Sequence, residues 1–232
     1  MRLVHQFWLQ GVKRCPRTRE SLAAQPWGPN VKHHLWDEVA VTALIEVKYP
    51  QWLSFWLRLP HLMIKCDVAR AFILHAFGGV YADLDYEPTT EFQEIWDQPL
   101  FQVKVGRYQR LLPTYRIPNN AWILSPPSAP FWLDTFLPEV EEELNRPRFL
   151  TVIGQMIMGS WWHVLSVAGP VAWARWVQQG KVKALDYEDV YIRYGIHGKN
   201  KTEGWVVWNE LKMHIVLFTL VLFFLPICGC IF

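Results

Sequence analysis

Two aspartates, Asp83 and Asp85, stand one residue apart directly after the apolar stretch Val80 to Ala82. If this stretch is a strand, the alternation of side chains points both carboxylates to the same side. Like charges at that spacing repel each other, so the pair is most stable when a hard divalent cation lies beside the oxygens. A D-x-D sequence alone is more often a solvated loop than a metal site, so its surroundings decide the interpretation.

A second polar pair lies on the helix that apolar spacing predicts from Cys66 to Phe77. Asp67 and Arg70 are three residues apart and therefore share one face of this helix. Two glycines follow the helix, and glycine adopts the positive φ of a helix-ending turn without a steric cost. The order of helix, glycine turn, strand and carboxylates predicts a polar site beyond the carboxyl end of a strand, where open α/β sheets bind ligands.

These residues together resemble the glycosyltransferases that carry the D-x-D sugar-binding motif. They are most similar to the family of fungal α-1,6-mannosyltransferases and inositol phosphoceramide mannosyltransferases, with the large clostridial glucosylating toxins as distant relatives. The steps from Asp67 to Arg70, then to Asp83 and Asp85, match the spacing of that family. The resemblance implies an α/β fold, namely a GT-A-like, Rossmann-related single domain with a mixed central sheet.

The resemblance also implies a chemistry, which is metal-dependent transfer from a nucleotide sugar with retention of the anomeric configuration. GDP-mannose is the implied donor, and Mn²⁺ or Mg²⁺ is the implied metal. Asp85 would bind the metal directly, while Asp83 would contact the ribose, the water shell of the metal or the sugar. Asp67 and Arg70 would hold sugar hydroxyls. No residue of the sequence is identified as a nucleophile.

The first predicted strand, which ends at Trp8, resembles the opening strand of the same family. By that resemblance Trp8 would stack on the base of the donor, and His5 or Gln6 would line the nucleotide pocket. The alternative is an ordinary buried strand with an aromatic end. Both interpretations remain open from the sequence.

Polar residues later in the chain complete the implied site. The family has an asparagine near the sugar, so Asn120 or Asn119 is expected there, with a turn-forming asparagine as the alternative. His197 is the expected imidazole ligand of the metal, and the indole N–H of Trp205 is expected to donate to a diphosphate oxygen. Glycine replaces the usual serine before Trp205, which leaves Glu203 as an alternative metal ligand.

Length and composition limit the class of protein. The 232 residues suffice for one sizeable α/β core, and we expect a catalytic domain over residues 1–210. A net charge of +2 removes the case for a broad electrostatic nucleic-acid partner. Core packing is expected for most of the 14 tryptophans, and sugar platforms or a membrane interface are natural places for the others.

The C-terminal segment 213–232 contains no Asp, Glu, Lys or Arg. At about 1.5 Å per residue it would extend over roughly the 30 Å of a bilayer core, which predicts a single-pass transmembrane helix, with a buried core helix as the alternative. Preceding lysines favour a cytosolic catalytic domain. The family resemblance instead implies the lumen of the Golgi or another endomembrane, and a lipid acceptor such as inositol phosphoceramide, with a glycan acceptor still open.

Two other classes of function use the same features. A metal-dependent hydrolase could use the carboxylates, although a two-metal centre ordinarily needs more clustered ligands. A membrane adaptor that keeps the fold without catalysis is the second, and loss of a site residue would favour it. Apolar patterns also predict the remaining elements: a helix over 31–49, a strand or buried turn over 52–57, strands over 100–105 and 119–124, and helices over 131–144, 152–167 and 171–178.

Overall fold

The computed structural model describes residues 2–15, 27, 30–84, 86–88, 102–107, 116–146, 160–185 and 191–193. The chain divides into two compact units. The first comprises Met1–Asn145 with Val164–Ile196, and it holds almost all of the described elements. The second comprises Arg146–His163 with His197–Phe232, and its described residues are Arg146 and the first turn of one helix.

A mixed β-sheet forms the centre of the first unit. The described strands are β1 Arg2–Phe7, β2 Val31–Trp36, β3 Gly79–Ala82, β4 Tyr86–Pro88, β5 Gln102–Arg107, β6 Arg116–Ser125, β7 Lys183–Leu185 and β8 Tyr191–Arg193. Six of them form the central sheet in the order β2-β1-β3-β6-β5-β7, and β4 pairs with β8 in a separate antiparallel pair. β1 is parallel to both β2 and β3, whereas β6 is antiparallel to β3 and β5. The predicted α/β class and mixed central sheet are confirmed.

Helices cover the sheet. The described α-helices are α1 Glu38–Lys48, α2 Leu53–Arg58, α3 Leu62–Phe77, α4 Leu137–Asn145, α5 Ser160–Val167 and α6 Pro170–Gln178, with a π-helical segment Phe131–Phe136 leading into α4. α6 begins at Pro170 after an extended Gly169, because proline fixes φ for a first helical turn. The predicted helices over 131–144 and 171–178 and the strands over 100–105 and 119–124 are therefore confirmed within a few residues.

The helix α3 is deeply buried in the first unit. Its residues from Asp67 to Leu74 are all buried, so it packs as a central element rather than as an amphipathic surface helix. The turn after it requires glycine, since Gly78 has φ 63° and Gly79 has φ 92°. A Cβ on Gly78 would lie 2.5 Å from Pro127 Cδ, and one on Gly79 would lie 2.4 Å from the Leu3 carbonyl oxygen. The predicted glycine turn into β3 is confirmed.

Tryptophan and phenylalanine fill much of the core, as expected from the composition. Trp132, Phe136, Trp173 and Trp176 are fully buried where the π-helical segment and α4 meet α6. The ring centroids of Phe136 and Trp176 are 5.1 Å apart, within the range of favourable aromatic pairs. This packing fixes α6, and with it the loop before α6, against the sheet.

The predicted helix over 31–49 is wrong in its first part. Residues Val31–Trp36 form β2, which is paired with β1 along its whole length. The helix begins only at Glu38, where Asp37 is the N-cap and its Oδ1 accepts from the backbone N–H of Ala40 at 2.9 Å. Parallel pairing with a neighbouring strand overrides a short apolar periodicity that also fits a helix.

The predicted strand or buried turn over 52–57 is also wrong. A 3₁₀ turn over Pro50–Trp52 leads directly into α2. Phe55 and Trp56 are buried, and Trp56 Nε1 donates to Thr42 Oγ1 on α1 at 2.8 Å. A short aromatic run fits strand and helix equally well by pattern, and contact with α1 decides in favour of the helix.

Several predicted segments lie outside the described residues. They include residues 152–159 and the whole C-terminal segment 213–232. Among the helices that the structure describes, none has the length and apolar character required to span a bilayer.

Candidate functional site

The site is built on α3, where Asp67 and Arg70 form a buried ion pair. Arg70 Nη2 lies 2.8 Å from Asp67 Oδ1, and both side chains are almost fully buried. The three-residue spacing on one helix face brings them together. Arg70 Nε also donates to the Cys66 carbonyl one turn earlier, at 3.4 Å. A fixed guanidinium therefore lies at the middle of the helix, directed toward the sheet.

Asn120 on β6 joins this pair to the sheet. Its Nδ2 donates to Asp67 Oδ1 at 2.8 Å and to the Ala168 carbonyl at 3.3 Å, while its own carbonyl accepts from Arg70 Nη1. Asn120 is buried. Two donors, Arg70 and Asn120, therefore converge on one oxygen of Asp67, and the loop before α6 is tied to the same point.

Asp83, the first aspartate of the D-x-D sequence, lies at the edge of this network. Arg70 Nη2 is 3.7 Å from Asp83 Oδ1, and the Tyr81 hydroxyl donates to the same oxygen at 3.1 Å. The guanidinium carbon of Arg70 lies 4.6 Å from the centroid of the Tyr81 ring, a cation–π contact. The Asp83 side chain is 36% exposed, whereas that of Arg70 is 4% exposed. We call Asp67, Arg70, Asp83 and Asn120 the carboxylate cluster.

Burial and charge act in opposite directions on the ion pair. Burial raises the pKa of Asp67 to about 7, although Arg70 and the amide of Asn120 oppose this rise. Burial alone would lower the pKa of Arg70, but Asp67, Tyr81 and Asp83 outweigh it and raise that pKa. Arg70 therefore stays cationic throughout the physiological range. Burial also raises the pKa of Tyr81, so its hydroxyl keeps the proton that it donates to Asp83.

A second buried polar group surrounds β1, and we call His5, His33 and His34 the histidine cluster. Trp36 Nε1 donates to His5 Nδ1 at 3.1 Å, so the proton of the His5 ring must be on Nε2, which donates to the Gly78 carbonyl at 2.9 Å. Burial lowers the pKa of His5 to about 3 and that of His33 to about 4. Both rings are therefore neutral at physiological pH.

Gln6 connects the histidine cluster with the carboxylate cluster. Its Nε2 donates to the backbone carbonyl of Asp83 at 3.3 Å, and its Oε1 lies 2.7 Å from His33 Nε2. Gln6 is completely buried. The side chain thus bridges β2 and the end of β3 from its place on β1.

The structure brings together four of the residues that the sequence singled out: Asp67, Arg70, Asp83 and Asn120. Asp85, His197 and Trp205 lie outside the residues whose side chains are described, as does Glu203. Trp8 follows β1, is half-buried, and donates its backbone N–H to the Trp36 carbonyl at 2.8 Å. His5 has both ring nitrogens engaged within the protein, so it holds the glycine turn in place. The roles of these residues in binding stay predictions.

Two residues that contribute to the site were not identified from the sequence. Tyr81 carried a detectable signal, because strand alternation places it on the same side as Asp83 two residues later. His33 carried none, because its segment had the pattern of a helix and β2 was not predicted.

A carboxylate oxygen such as that of Asp83 suits a hard divalent cation. Within the part of the chain that the structure describes, no three His, Cys, Asp or Glu side chains form a metal-ligand group. Mg²⁺ is usually held by one or two carboxylates together with substrate phosphates and water, so an all-protein cage is not required. The partly exposed carboxylate of Asp83 is a hard oxygen ligand of that kind.

One known family matches the part of the chain that contains most of these residues. Residues 13–102 match the family described as a glycosyltransferase sugar-binding region containing a DXD motif. This region, which is less than half of the chain, is similar to the DXD-motif glycosyltransferase family. The matched residues contain Asp67, Arg70, Asp83 and Asp85, so the sequence-based identification is confirmed for this region.

Two curated relatives of this DXD-motif region come from fungi. Inositol phosphoceramide mannosyltransferase 3 of Schizosaccharomyces pombe is 35% identical over 57 residues, which cover 25% of this chain and 16% of that protein. Mannosyl phosphorylinositol ceramide synthase SUR1 of Saccharomyces cerevisiae is 28% identical over 82 residues, which cover 35% of this chain and 19% of that protein. The similarity therefore spans less than a fifth of either relative.

A solved structure, the PaToxG glycosyltransferase, is also similar to the chain. The superposition has a TM-score of 0.46 at 14% sequence identity, and it covers 93% of this chain and 78% of that chain.

Proposed function

We propose that this chain is a metal-dependent glycosyltransferase that transfers mannose from GDP-mannose. The observation that carries the proposal is the convergence of α3, β3 and β6, which puts Asp67, Arg70 and Asn120 beside the first aspartate of the DXD motif. The names of the two fungal relatives, both of which denote mannosyl transfer to a sphingolipid, support the choice of sugar.

The acceptor in this proposal is a lipid of the inositol phosphoceramide type, as in the name of the Schizosaccharomyces pombe relative. The segment 213–232 has the composition of a single membrane span, and we propose that it anchors the chain in the Golgi or another endomembrane. A glycan acceptor is the outcome to expect if lipid is not glycosylated.

The buried ion pair orients the donor sugar. Both contacts from Arg70 and Asn120 end on Asp67 Oδ1. We therefore propose that Asp67 Oδ2 accepts a hydrogen bond from a hydroxyl of the donor sugar. Arg70 holds this carboxylate in one orientation, and a fixed sugar presents its anomeric carbon to the acceptor.

The DXD carboxylates bind the nucleotide end of the donor. Tyr81 and Arg70 fix one oxygen of Asp83, and the exposed part of that side chain faces the ligand. A divalent cation, Mn²⁺ or Mg²⁺, held by Asp83 and Asp85, with His197 or Glu203 as a further ligand, would supply positive charge at the diphosphate. Trp8 would stack on the base, and the indole N–H of Trp205 would donate to a diphosphate oxygen.

The reaction exchanges one bond at the anomeric carbon for another. The bond from this carbon to the diphosphate oxygen breaks, a bond to the acceptor oxygen forms, and the acceptor hydroxyl proton passes to the leaving diphosphate or to water. Negative charge grows on the leaving nucleoside diphosphate, and electrostatic stabilisation of that charge is the main contribution of such a site.

Donor hydrolysis by the full chain tests the proposal. A panel of GDP-mannose, GDP-fucose, UDP-glucose and UDP-galactose is incubated with Mn²⁺, with Mg²⁺ or with EDTA, and free nucleotide is measured. We expect release of GDP from GDP-mannose that stops in EDTA. Turnover of a UDP-sugar alone would contradict the donor, and equal turnover in EDTA would contradict the metal.

A second assay adds vesicles that contain inositol phosphoceramide or, separately, an oligomannose glycan. Mass spectrometry then detects addition of one hexose. A hexosylated lipid supports the lipid acceptor, whereas a hexosylated glycan without lipid product would replace it.

A further inference from the structure

The first aspartate of the DXD motif lies where β1 and β3 stop pairing. The two strands are in register at Val4 with Val80 and at His5 with Tyr81, and the pairing ends there. Asp83 follows two residues later. Its backbone N–H donates to the Ala121 carbonyl on β6 at 2.8 Å, so one side of its backbone is held by the sheet.

The other side of the Asp83 backbone is held by a side chain instead of a strand. Gln6 Nε2 on β1 donates to the Asp83 carbonyl at 3.3 Å. This amide takes the place of the backbone hydrogen bond that a longer β1 and β3 ladder would supply. The peptide before Asp83 is thereby fixed from β6 through its N–H, and the peptide after Asp83 is fixed from β1 through its carbonyl.

The orientation of the Gln6 amide depends on His33. A carbonyl only accepts hydrogen bonds, so Gln6 must turn its NH₂ group to Asp83 and its oxygen to His33 Nε2, which is 2.7 Å away. Nε2 must then carry the ring proton and donate it. Gln6 has no exposed surface, so water does not substitute for either partner.

The sheet register explains why His33 alone can do this. His33 pairs with Val4, and residues paired in parallel strands point to the same face, which is also the face of Gln6 two residues later. The neighbouring His34 points to the opposite face, where its ring lies 5.7 Å from that of His5. His34 is therefore a matched control in the same strand.

We propose that His33 is a positioning residue for Asp83 and acts through Gln6. The inference rests on the proposed function, because binding of nucleotide and metal is what gives the orientation of Asp83 a purpose. Without the donor on Gln6, the peptide after Asp83 loses the hydrogen bond that holds its carbonyl. Its carboxylate then leaves the position set by Tyr81 and Arg70 in a fraction of the molecules.

Nucleotide affinity of the full chain measures this effect. Calorimetric titration with GDP in Mn²⁺ and in EDTA compares the wild type with Gln6→Met, His33→Phe and the double variant, and with His34→Phe as the control. Partners behind a metal ligand typically change affinity by about 10- to 100-fold, and we expect a loss in that range for Gln6→Met and about 10-fold for His33→Phe, in Mn²⁺ only. His34→Phe should stay within about twofold of the wild type.

The double variant separates a relay from two independent effects. If His33 acts through Gln6, then Gln6→Met with His33→Phe should bind no more weakly than Gln6→Met alone. His33→Gln, which retains a donor, should recover much of the affinity. The proposal would be overturned if the fold-losses of affinity of the two single variants multiplied in the double variant. It would also be overturned if His33→Phe and His34→Phe lost affinity equally.

A measurement on the protein without nucleotide tests the role of His33 independently of the proposed function. The ¹³C shift of the Asp83 carbonyl reports the hydrogen bond that it accepts, and circular dichroism reports whether each variant is folded. We expect His33→Phe to move this shift in the wild-type background and not in Gln6→Met. If the wild type binds neither GDP nor UDP, the proposed function fails. Independently of nucleotide binding, a carbonyl shift that His33→Phe does not move would overturn the positioning role.

Discussion

The carboxylate cluster and the histidine cluster are both buried polar groups, yet they treat charge in opposite ways. Arg70 remains cationic because two carboxylates lie beside it, at 2.8 Å and 3.7 Å from its Nη2. His5 has no carboxylate partner among the described contacts, and burial lowers its pKa to about 3. The first cluster retains the charge of Arg70 through pairing, and the second avoids charge.

This difference indicates what each cluster is for. Paired charge beside a partly exposed carboxylate can recognise a polar ligand, because the partners are already oriented and desolvated. Neutral imidazoles supply directional hydrogen bonds that fix the backbone at Gly78 and, through Gln6, at Asp83. We therefore propose that the histidine cluster supports the geometry and that the carboxylate cluster binds the ligand.

Removing the cation should have the largest effect of any single change. Arg70→Met leaves Asp67 buried without its counter-ion, which costs about 3–5 kcal/mol of unfolding free energy. Urea denaturation measures this loss. Adding Asp67→Asn should recover part of it, because the orphaned charge is removed.

The matched control for this variant is Arg58→Met, whose side chain is 70% exposed and 3.8 Å from Glu141. It should change stability by no more than about 0.5 kcal/mol. Equal effects of Arg70→Met and Arg58→Met would show that the buried pair does not retain charge as described.

Removing a neutral ring should cost less. His5→Leu leaves the buried Gly78 carbonyl without its partner, which costs about 1–3 kcal/mol. It also removes the acceptor of the Trp36 indole N–H, but Trp36 is only half-buried, so water can replace that acceptor. Thermal or urea denaturation at pH 7 gives the value. His34→Leu should change stability less than His5→Leu. If His5→Leu lost more stability than Arg70→Met, the comparison between the two clusters would be reversed.

Acid should destabilise the histidine cluster. The folded-state pKa values of His5 and His33 are lowered to about 3 and about 4, below the 6.5 of an unperturbed histidine. The unfolded chain therefore binds protons that the folded chain does not, so this contribution to stability is complete above pH 6.5 and decreases as the pH falls toward 4. The contribution of Asp67 to stability depends on pH in the opposite direction. Because the pKa of Asp67 is raised to about 7, this contribution decreases as the pH rises from about 4 to 7.

The His5→Leu variant isolates one of these protons. Its unfolding free energy should fall less steeply between pH 6 and 5, by about 1.4 kcal/mol per pH unit relative to the wild type. Urea denaturation at each pH measures both slopes. Identical slopes would mean that His5 does not remain neutral in the fold.

The smallest effect is expected at the hydrogen bond to the partly exposed Asp83. Tyr81→Phe removes the hydroxyl that donates to Asp83, and water can replace it because Asp83 is partly exposed. We expect a loss of about 1 kcal/mol in stability and a several-fold weaker affinity for GDP in Mn²⁺. Tyr49→Phe, which removes a hydroxyl bonded to His75 at 2.7 Å, should cost similar stability without changing nucleotide affinity.

The carboxylate cluster could be predicted from the sequence because its parts follow local rules. The helix, the two glycines and β3 are consecutive, so spacing along the chain determines which side chains meet. Asp67 and Arg70 share a helix face, and Tyr81 and Asp83 share a strand face. Asn120 was identified through the family resemblance, and its contact with Asp67 depends on the pairing of β6 with β3.

The histidine cluster could not be predicted because it depends on strand pairing between distant segments. The segment 31–36 fits a helical pattern by itself, and only its parallel register with β1 places His33 beside Gln6. The helix α2 was missed for a related reason, since contact with α1 decides between two conformations that its short sequence permits.

The central claim is that the DXD aspartates bind a metal–nucleotide and make sugar transfer possible. The most direct measurement is the rate of GDP release from GDP-mannose by the full chain in Mn²⁺, for the wild type, Asp83→Ala and Asp85→Ala, with the exposed Asp134→Ala as control. We predict a loss on the order of 100-fold or more for each DXD variant and an unchanged rate for Asp134→Ala. Wild-type rates in Asp83→Ala and Asp85→Ala would contradict the claim.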